Sequence, residues 1–478
     1  MDIHLTSSYE HITGTQPTWA NLERMLRGLP VGASLYFLSK LNAAINDSQV
    51  AENQAQLAVL GSTIASRFKY SILSLLNQGR TFFYPHQIWA TMNLVAYWGR
   101  EEAQGVSLQK LTPHEIGRLT TGLLAVGGLI DSQRLNNGED GAKYLLHHWK
   151  GIHSEPVPSR LARWRYMLTH SAKAFPEVDP NDAFKAVTGL DTQTYFDAGI
   201  ELYLGFFSAV QQAFTKGDEI LLSHEYFRNE PAAWAVLQPC VVDLADFCRT
   251  VKRVSGSPYD LLFYATHLQS RPILCYQNKY FCLSLPFLGE RISSGAHYLV
   301  LDHLPDNPKK KQYMTWLGHV FEDYMVKLLS SVPWSCVPET DKSMADASVT
   351  TSDGGIIVEC KTKRIPVDVF ESGNVSRFRD QLRTDTGVRK GAKQLSDRFD
   401  QISKGTYPVR ELTTDSTVGL VCTLESTPAI WQLGEEVDAV FNEVTWPSTT
   451  IPIPAVVSAF DLEMLVSYTN LPRKGFKL

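Results

Sequence analysis

The stretch Asp346–Arg364, DASVTTSDGGIIVECKTKR, decides the fold of the C-terminal part of this chain. Its middle, Ser352-Asp353-Gly354-Gly355, is rich in residues that tolerate positive φ and reads as a tight turn. Ala347 and Val349 mark a strand before it, and Ile356-Ile357-Val358 marks one after it. Pairing Thr351 with Ile356 sets Ala347 across from Cys360 and Asp346 across from Lys361. Opposed residues share a side and side chains alternate. Asp346, Glu359 and Lys361 therefore fall on one face, with Ala347, Val349, Val358 and Cys360 on the other, apolar one. A slip of one residue would spoil both faces at once.

Two carboxylates and a lysine at a hairpin end suit a hard divalent cation and an attacked phosphate. Mg²⁺ takes carboxylate oxygens and keeps several waters, and a neighbouring lysine can hold the nucleophile or the developing anion. Asp346, the spacer and Glu359-Cys360-Lys361 resemble the D…(D/E)-X-K signature of the PD-(D/E)XK nuclease superfamily. The resemblance covers roughly the last third of the chain, with Ala345 where a proline often precedes the aspartate. It implies a restriction-endonuclease-like α/β/α core and metal-dependent phosphodiester hydrolysis. It also implies Asp346 and Glu359 as metal ligands, helped by the Cys360 carbonyl, and Mg²⁺ as cofactor with Mn²⁺ able to substitute. The plainer alternative is an exposed hairpin end carrying an Asp346–Lys361 salt bridge, a kind of pair worth little.

Composition bounds the rest. With 478 residues, two or three domains are expected. A hydrophobic share of 44% and a charged share of 20% describe an ordinary soluble protein. The formal net charge of −5 excludes a globally basic nucleic-acid binder, so any polyanion site must be local. Seven scattered cysteines, without a C-x-x-C, suit a reducing cytoplasm. MDIHLTSSYE lacks the regions of a signal peptide, and apolar runs such as Leu123 to Ile130 are too short to span a bilayer. A cytoplasmic location with no membrane partner is expected.

Residues 18–98 read as helices, with Leu22, Met25 and Leu26 on one face, Leu57, Leu60, Ile64 and Phe68 on another, and an interruption at Tyr84-Pro85-His86. Thr112-Pro113-His114-Glu115 is a capping box that predicts a helix to about Ile130. Helices are also expected over 144–150, 159–171, from Asp179-Pro180 onward, over 192–214, and through most of 223–254. His147, His148 and His153 read as ordinary helix histidines, because adjacent residues face different sides. Trp164, Tyr166, Tyr195, Phe196, Tyr203, Phe206 and Phe207 read as helix-packing core. A hairpin is expected about Gln277-Asn278-Lys279, and a loop and domain boundary within 302–311.

The next helix, 312–329, predicts an apolar stripe of Met314, Leu317, Phe321, Tyr324 and Leu328, with Gly318 allowing a close approach one turn before Glu322. The resemblance implies that this helix gives the metal an acid, Glu322 rather than Asp323. From Glu359 to Arg410 there are twelve Lys/Arg and seven Asp/Glu, a local excess fit for a phosphate backbone. Lys363, Arg364, Arg389, Lys390 and Lys393 are the candidate contacts. Lys390, Lys393, Gln394 and Asp397 share one face of a helix over 388–402, and the resemblance makes Gln394 a candidate catalytic residue; a solvated charged face is the alternative. Strands over 418–424 and 455–459, and a short helix capped by Asp461, complete a mixed sheet flanked by helices.

The expected fold is α+β. A mainly helical region spans 1–305, with a further division near 255, and a restriction-endonuclease-like domain spans 306–478. The expected function is a metal-dependent nuclease, with DNA favoured over RNA as partner. By analogy of architecture it suggests bacterial anti-phage defence, with a homodimer or a defence-system protein as further partner. The alternative is a silent nuclease-like scaffold that binds nucleic acid or protein through its helical region.

Overall fold

The computed structural model describes residues 9–46, 83–102, 110–132, 146, 155–170, 179–216, 222–223, 227, 229–254, 256–277, 279–384, 386–428, 431–447 and 454–470. The expected face of Leu57, Leu60, Ile64 and Phe68, the helix expected over 144–150 except Leu146, and His147, His148 and His153 lie outside them. The chain divides into two compact units. One comprises Met1–Val157 and Phe184–Tyr298, and the other Pro158–Ala183 and Leu299–Leu478. No helix among the described residues is long and apolar enough to cross a membrane.

The first unit is mainly helical. A helix begins at Tyr84-Pro85-His86, three residues before the expected resumption at Ile88; residues 47–82 lie outside the described ones. Pro85–Trp98 begins with proline in its first turn, and the Gln87 side chain accepts from the Tyr84 amide at 2.9 Å. The Thr112 box forms as its sequence dictates, with Thr112 N donating to Glu115 at 2.8 Å ahead of the helix Pro113–Ser132. Beside the helices lies a four-stranded sheet of β1 (Leu222–Ser223), β2 (Val241–Asp243), β3 (Ile273–Tyr276) and β4 (Lys279–Cys282). Its order is β1-β4-β3-β2, and only the β2–β3 pair is parallel. The expected hairpin is β3–β4, with Gln277 at φ 56° in its turn. The short strand β2 falls inside a span expected to be mainly helical.

The second unit is built on a five-stranded mixed sheet. Its strands are β5 (Ser335–Pro338), β6 (Ala347–Thr350), β7 (Gly355–Lys361), β8 (Thr417–Thr423) and β9 (Ala455–Ser458), in the order β5-β6-β7-β8-β9. The β5–β6 and β6–β7 pairs are antiparallel, and β7–β8 and β8–β9 are parallel. The register of the central hairpin differs from the expected one by two residues. Ala347 pairs with Val358 and Thr350 with Gly355, because the turn closes between the Thr351 amide and the Gly354 carbonyl at 2.9 Å. Gly355 is thereby a strand residue. An even slip leaves every side chain on its expected face.

Helices cover both faces. Val421 and Cys422 are consecutive on β8 and so point oppositely. Val421 meets Gly391 of the helix Val388–Ser403, while Cys422 Sγ lies 3.6 Å from Met325 Sδ of the helix Asn307–Leu329. That second helix starts earlier than expected. Asp306 caps it by accepting from the Lys309 amide at 2.8 Å, so Lys309, Lys310 and Lys311 lie inside a helix rather than a linker. Its buried stripe is Tyr313, Trp316, Leu317, Val320, Phe321, Met325 and Leu329, rotated by about one residue from the expected stripe. Among the described residues nothing lies within 4 Å of a Cβ placed on Gly318, so no close approach there explains that glycine. Asp461 sits in the first turn of the longer helix Ala459–Asn470, where it accepts from the Ser458 amide at 2.7 Å.

Candidate active site

One end of the second unit's sheet gathers the charged residues. β6 runs antiparallel to both neighbours, so its start lies beside the finish of β5 and of β7. Asp346 stands just before β6, Glu359 and Lys361 end β7, and Glu339 follows β5, where its amide donates to the Asp346 carbonyl at 3.3 Å. The Asp346 carboxylate accepts from the Cys360 amide at 2.5 Å. That bond holds the aspartate against the β7 end, although no ladder pair was needed to place it there.

Glu359 is wholly buried, and Asp346 and Lys361 are 9% and 8% exposed. Lys361 Nζ donates to the Cys360 carbonyl at 2.9 Å and to Glu359 at 3.3 Å, and stands 3.9 Å from Asp346. Across from Glu359 lies Arg398, also buried, with its Nε 3.6 Å from Glu359 Oε1 and its Nη2 donating to the Lys342 carbonyl at 3.0 Å. Among the described residues neither Glu359 Oε1 nor Arg398 Nε has a hydrogen-bond partner. Desolvation, then the Asp346 charge, pushes the Glu359 carboxyl up to about 8 against the pull of Lys361 and Arg398.

Glu322 reaches the same end of the sheet from the opposite face. Its carboxylate, that of Glu339 and that of Asp346 offer oxygens within 4.8 Å of one another. Burial and then Asp346 raise Glu322 to about 7, while His319, whose Nδ1 is 2.9 Å from Glu322 Oε2, opposes the rise. Glu339 is raised for the same two reasons, in the same order. Asp323, the expected lesser candidate, is turned away and lies 3.5 Å from His170. Of the three, Asp346 is buried, Glu322 half-buried and Glu339 exposed; all offer hard oxygen donors, which fit a divalent cation such as Mg²⁺.

The other expected residues divide. Gln394 is half-buried, and its Oε1 lacks a hydrogen-bond partner among the described residues. It lies three residues after Gly391, whose Cβ position is 3.4 Å from Lys361 Cε, and four before Arg398. Helical spacing therefore puts it on the face that covers Glu359 and Lys361. The Cys360 thiol is buried on the apolar side, raised well above its ordinary range by desolvation. Arg364 pairs with Glu425 and lies over the Trp164 ring at 5.9 Å. Arg389 is 3.4 Å from Glu443.

The basic excess is smaller in space than along the chain. Arg377 pairs with Asp368, Arg379 with Glu436 and Arg383 with Glu443. The last two partners lie in or just after the helix Trp431–Asn442, in a stretch, 411–443, that has seven acidic and no basic residues. Lys390 and Lys393 are exposed, Lys363 is half-buried, and none of the three makes an ion pair among the described residues. Arg398 and Glu339 are the site residues that sequence reasoning missed. Glu339 was findable, because pairing Ser335–Pro338 against β6 puts it next to Asp346. Arg398 left no signal, as a charged helix normally turns its charges to water. No family model, curated protein or solved structure matches this chain.

Proposed function

We propose that this protein is a metal-dependent nuclease of the PD-(D/E)XK type whose active site is the charged end of the β5–β9 sheet. The observation that carries the reading is the group Asp346, Glu359 and Lys361, nearly dry, with the lysine beside both carboxylates and Glu322 arriving from the flanking helix. A hydrophobic interior does not hold two carboxylates this close without a use, since such desolvation destabilises the fold. The element order supports the same reading: a helix, an antiparallel three-stranded meander, three helices of which the last, Val388–Ser403, packs on the sheet, and a parallel fourth strand, in a sheet covered on both faces.

Asp346 and Glu322 would hold Mg²⁺, with Glu339 beside them and Glu359 completing the carboxylate set from β7. Mg²⁺ supplies Lewis acidity and counter-charge to the scissile phosphate. Lys361 is placed to donate from Nζ to the attacking water or to a developing phosphoryl anion, and the two strand-end carboxylates keep its ammonium aimed. Arg398 holds Glu359 and the Thr340–Ala345 loop in register. Lys363, Lys390 and Lys393 are the cations left to meet the substrate backbone, and DNA is the favoured substrate. All seven cysteines are free thiols, which suits a reducing compartment such as the cytoplasm. The defence role and its partners rest on analogy of architecture.

The scaffold alternative draws on one observation, the neutralisation of Arg379, Arg383 and Arg389 by Glu436 and Glu443. Cleavage of supercoiled plasmid, single-stranded DNA and RNA with Mg²⁺ or Mn²⁺ separates the two. Cutting that needs metal and is lost in Glu359→Ala supports the nuclease. Cutting that survives this variant places the chemistry elsewhere.

A further inference from the structure

We propose that Arg163, from a distant stretch of sequence, is a positioning residue of this site, holding together the elements that carry Lys361 and Glu322. The inference rests on the metal-site reading above. Arg163 lies on the helix Val157–Thr169, and residues Pro158–Ala183 pack with Leu299–Leu478 although the sequence on both sides of them builds the other unit.

The Arg163 side chain is 1% exposed. A guanidinium that dry survives only fully partnered. Its Nε and Nη2 donate to the two Glu463 oxygens at 2.6 and 3.0 Å, a bidentate fork. Its Nη1 donates to the Leu424 carbonyl at 3.2 Å, and the Leu424 amide donates to the Lys361 carbonyl at 3.0 Å. One residue, Leu424, thus bridges Arg163 and the backbone of the lysine. On the other side, Glu463 Oε1 accepts from the Tyr324 hydroxyl at 2.6 Å, and Tyr324 is two residues beyond Glu322 on the same helix.

The neighbours of Arg163 grip the same two elements. Trp164 lies under Arg364, three residues past Lys361, and Tyr166 lies under Lys327 of the Glu322 helix at 4.6 Å. A buried ion pair is often no more stabilising than an apolar pair of equal volume. What it adds here is direction: hydrogen bonds that fix a strand end and a helix relative to each other, as partners outside a metal's own ligands do.

The double variant Arg163→Met/Glu463→Met keeps the volume and removes the direction. It is compared with the wild type in the full-length protein for thermal midpoint, Mn²⁺ affinity by titration calorimetry, and kcat and KM for cleavage. The expected result is a midpoint near that of the wild type, Mn²⁺ binding at least about tenfold weaker, and a fallen kcat with KM little changed. A folded double variant that binds Mn²⁺ as tightly as the wild type overturns the inference and leaves the site reading standing. Failure of the wild type to bind Mn²⁺ overturns the site reading, and this inference with it. If the double variant does not fold, Tyr324→Phe decides. It keeps the Arg163–Glu463 fork and cuts only the link to the Glu322 helix; several-fold weaker Mn²⁺ binding is expected, and unchanged binding refutes the role.

Discussion

Replacing Glu359 by glutamine should stabilise the metal-free protein. Glu359 is wholly buried, and its carboxyl rises from an ordinary 4.5 to about 8, chiefly through desolvation and then through Asp346. A raised acid works against the fold as pH increases. Below pH 4.5 the group is protonated in both folded and unfolded chains and has no effect. Between 4.5 and 8 the unfolded chain sheds a proton that the folded one keeps, so stability falls. Each unit of pKa difference is about 1.4 kcal/mol, which makes the loss about 3 kcal/mol at pH 7 and about 5 kcal/mol above pH 8. Glutamine keeps the volume and cannot ionise. In chelator, the unfolding midpoint of Glu359→Gln should therefore exceed that of the wild type by several degrees, up to about 10 °C, at pH 7 to 8. The gap should close toward pH 4.5. Saturating Mn²⁺ should reverse the order, because only the wild type gains from binding. A variant less stable than the wild type at pH 8 in chelator, or a gap independent of pH, would refute the reasoning.

Other outcomes follow from single residues. His267 is buried between Phe247 and Tyr264, both ring nitrogens are unbonded among the described residues, and desolvation lowers it to about 3. The unfolded chain takes up a proton below about 6.5 that the folded one refuses, so unfolding of the first unit should become easier as pH falls from 6.5 toward 3. His267→Phe should flatten that dependence in circular-dichroism melts. In Gly391→Ala the new Cβ meets Val421 at 2.8 Å and the Lys361 side chain at 3.4 Å. Overpacking should cost about 1–3 kcal/mol in denaturant unfolding and slow cleavage through displacement of Lys361. With Lys363, Lys390 and Lys393 as the backbone contacts of this unit, the log–log salt slope of DNA binding should be no steeper than about −3. Filter binding from 50 to 300 mM salt measures it.

The face assignment of Asp346, Glu359 and Lys361 was legible because strand alternation has period two, and it survives the two-residue register error. The turn itself was misread because Gly354 and Gly355 both look like turn residues, whereas only Gly354 takes a positive φ, +155°. The second layer of the site was not legible. Arg398 and Glu359 are 39 positions apart on different elements, and nothing local in a charged helix tells a buried arginine from a solvated one. The same holds for the basic segment, whose counter-charges Glu436 and Glu443 lie in and just after a helix that the sequence does not signal. Arg163 shows the limit most clearly. Its partners Leu424 and Glu463 are 261 and 300 residues away, and no periodicity links them.

The most direct test of the active-site assignment is the single-turnover cleavage rate of Lys361→Ala at metal saturation, with Mn²⁺ binding confirmed in the same preparation. Lys361 is assigned to the reacting oxygens and not to the metal, so the variant should still bind Mn²⁺ and should cut at least about a hundredfold more slowly than the wild type. Cleavage by Lys361→Ala at the wild-type rate would contradict the account, because no nuclease whose chemistry runs through this lysine could lose it unharmed.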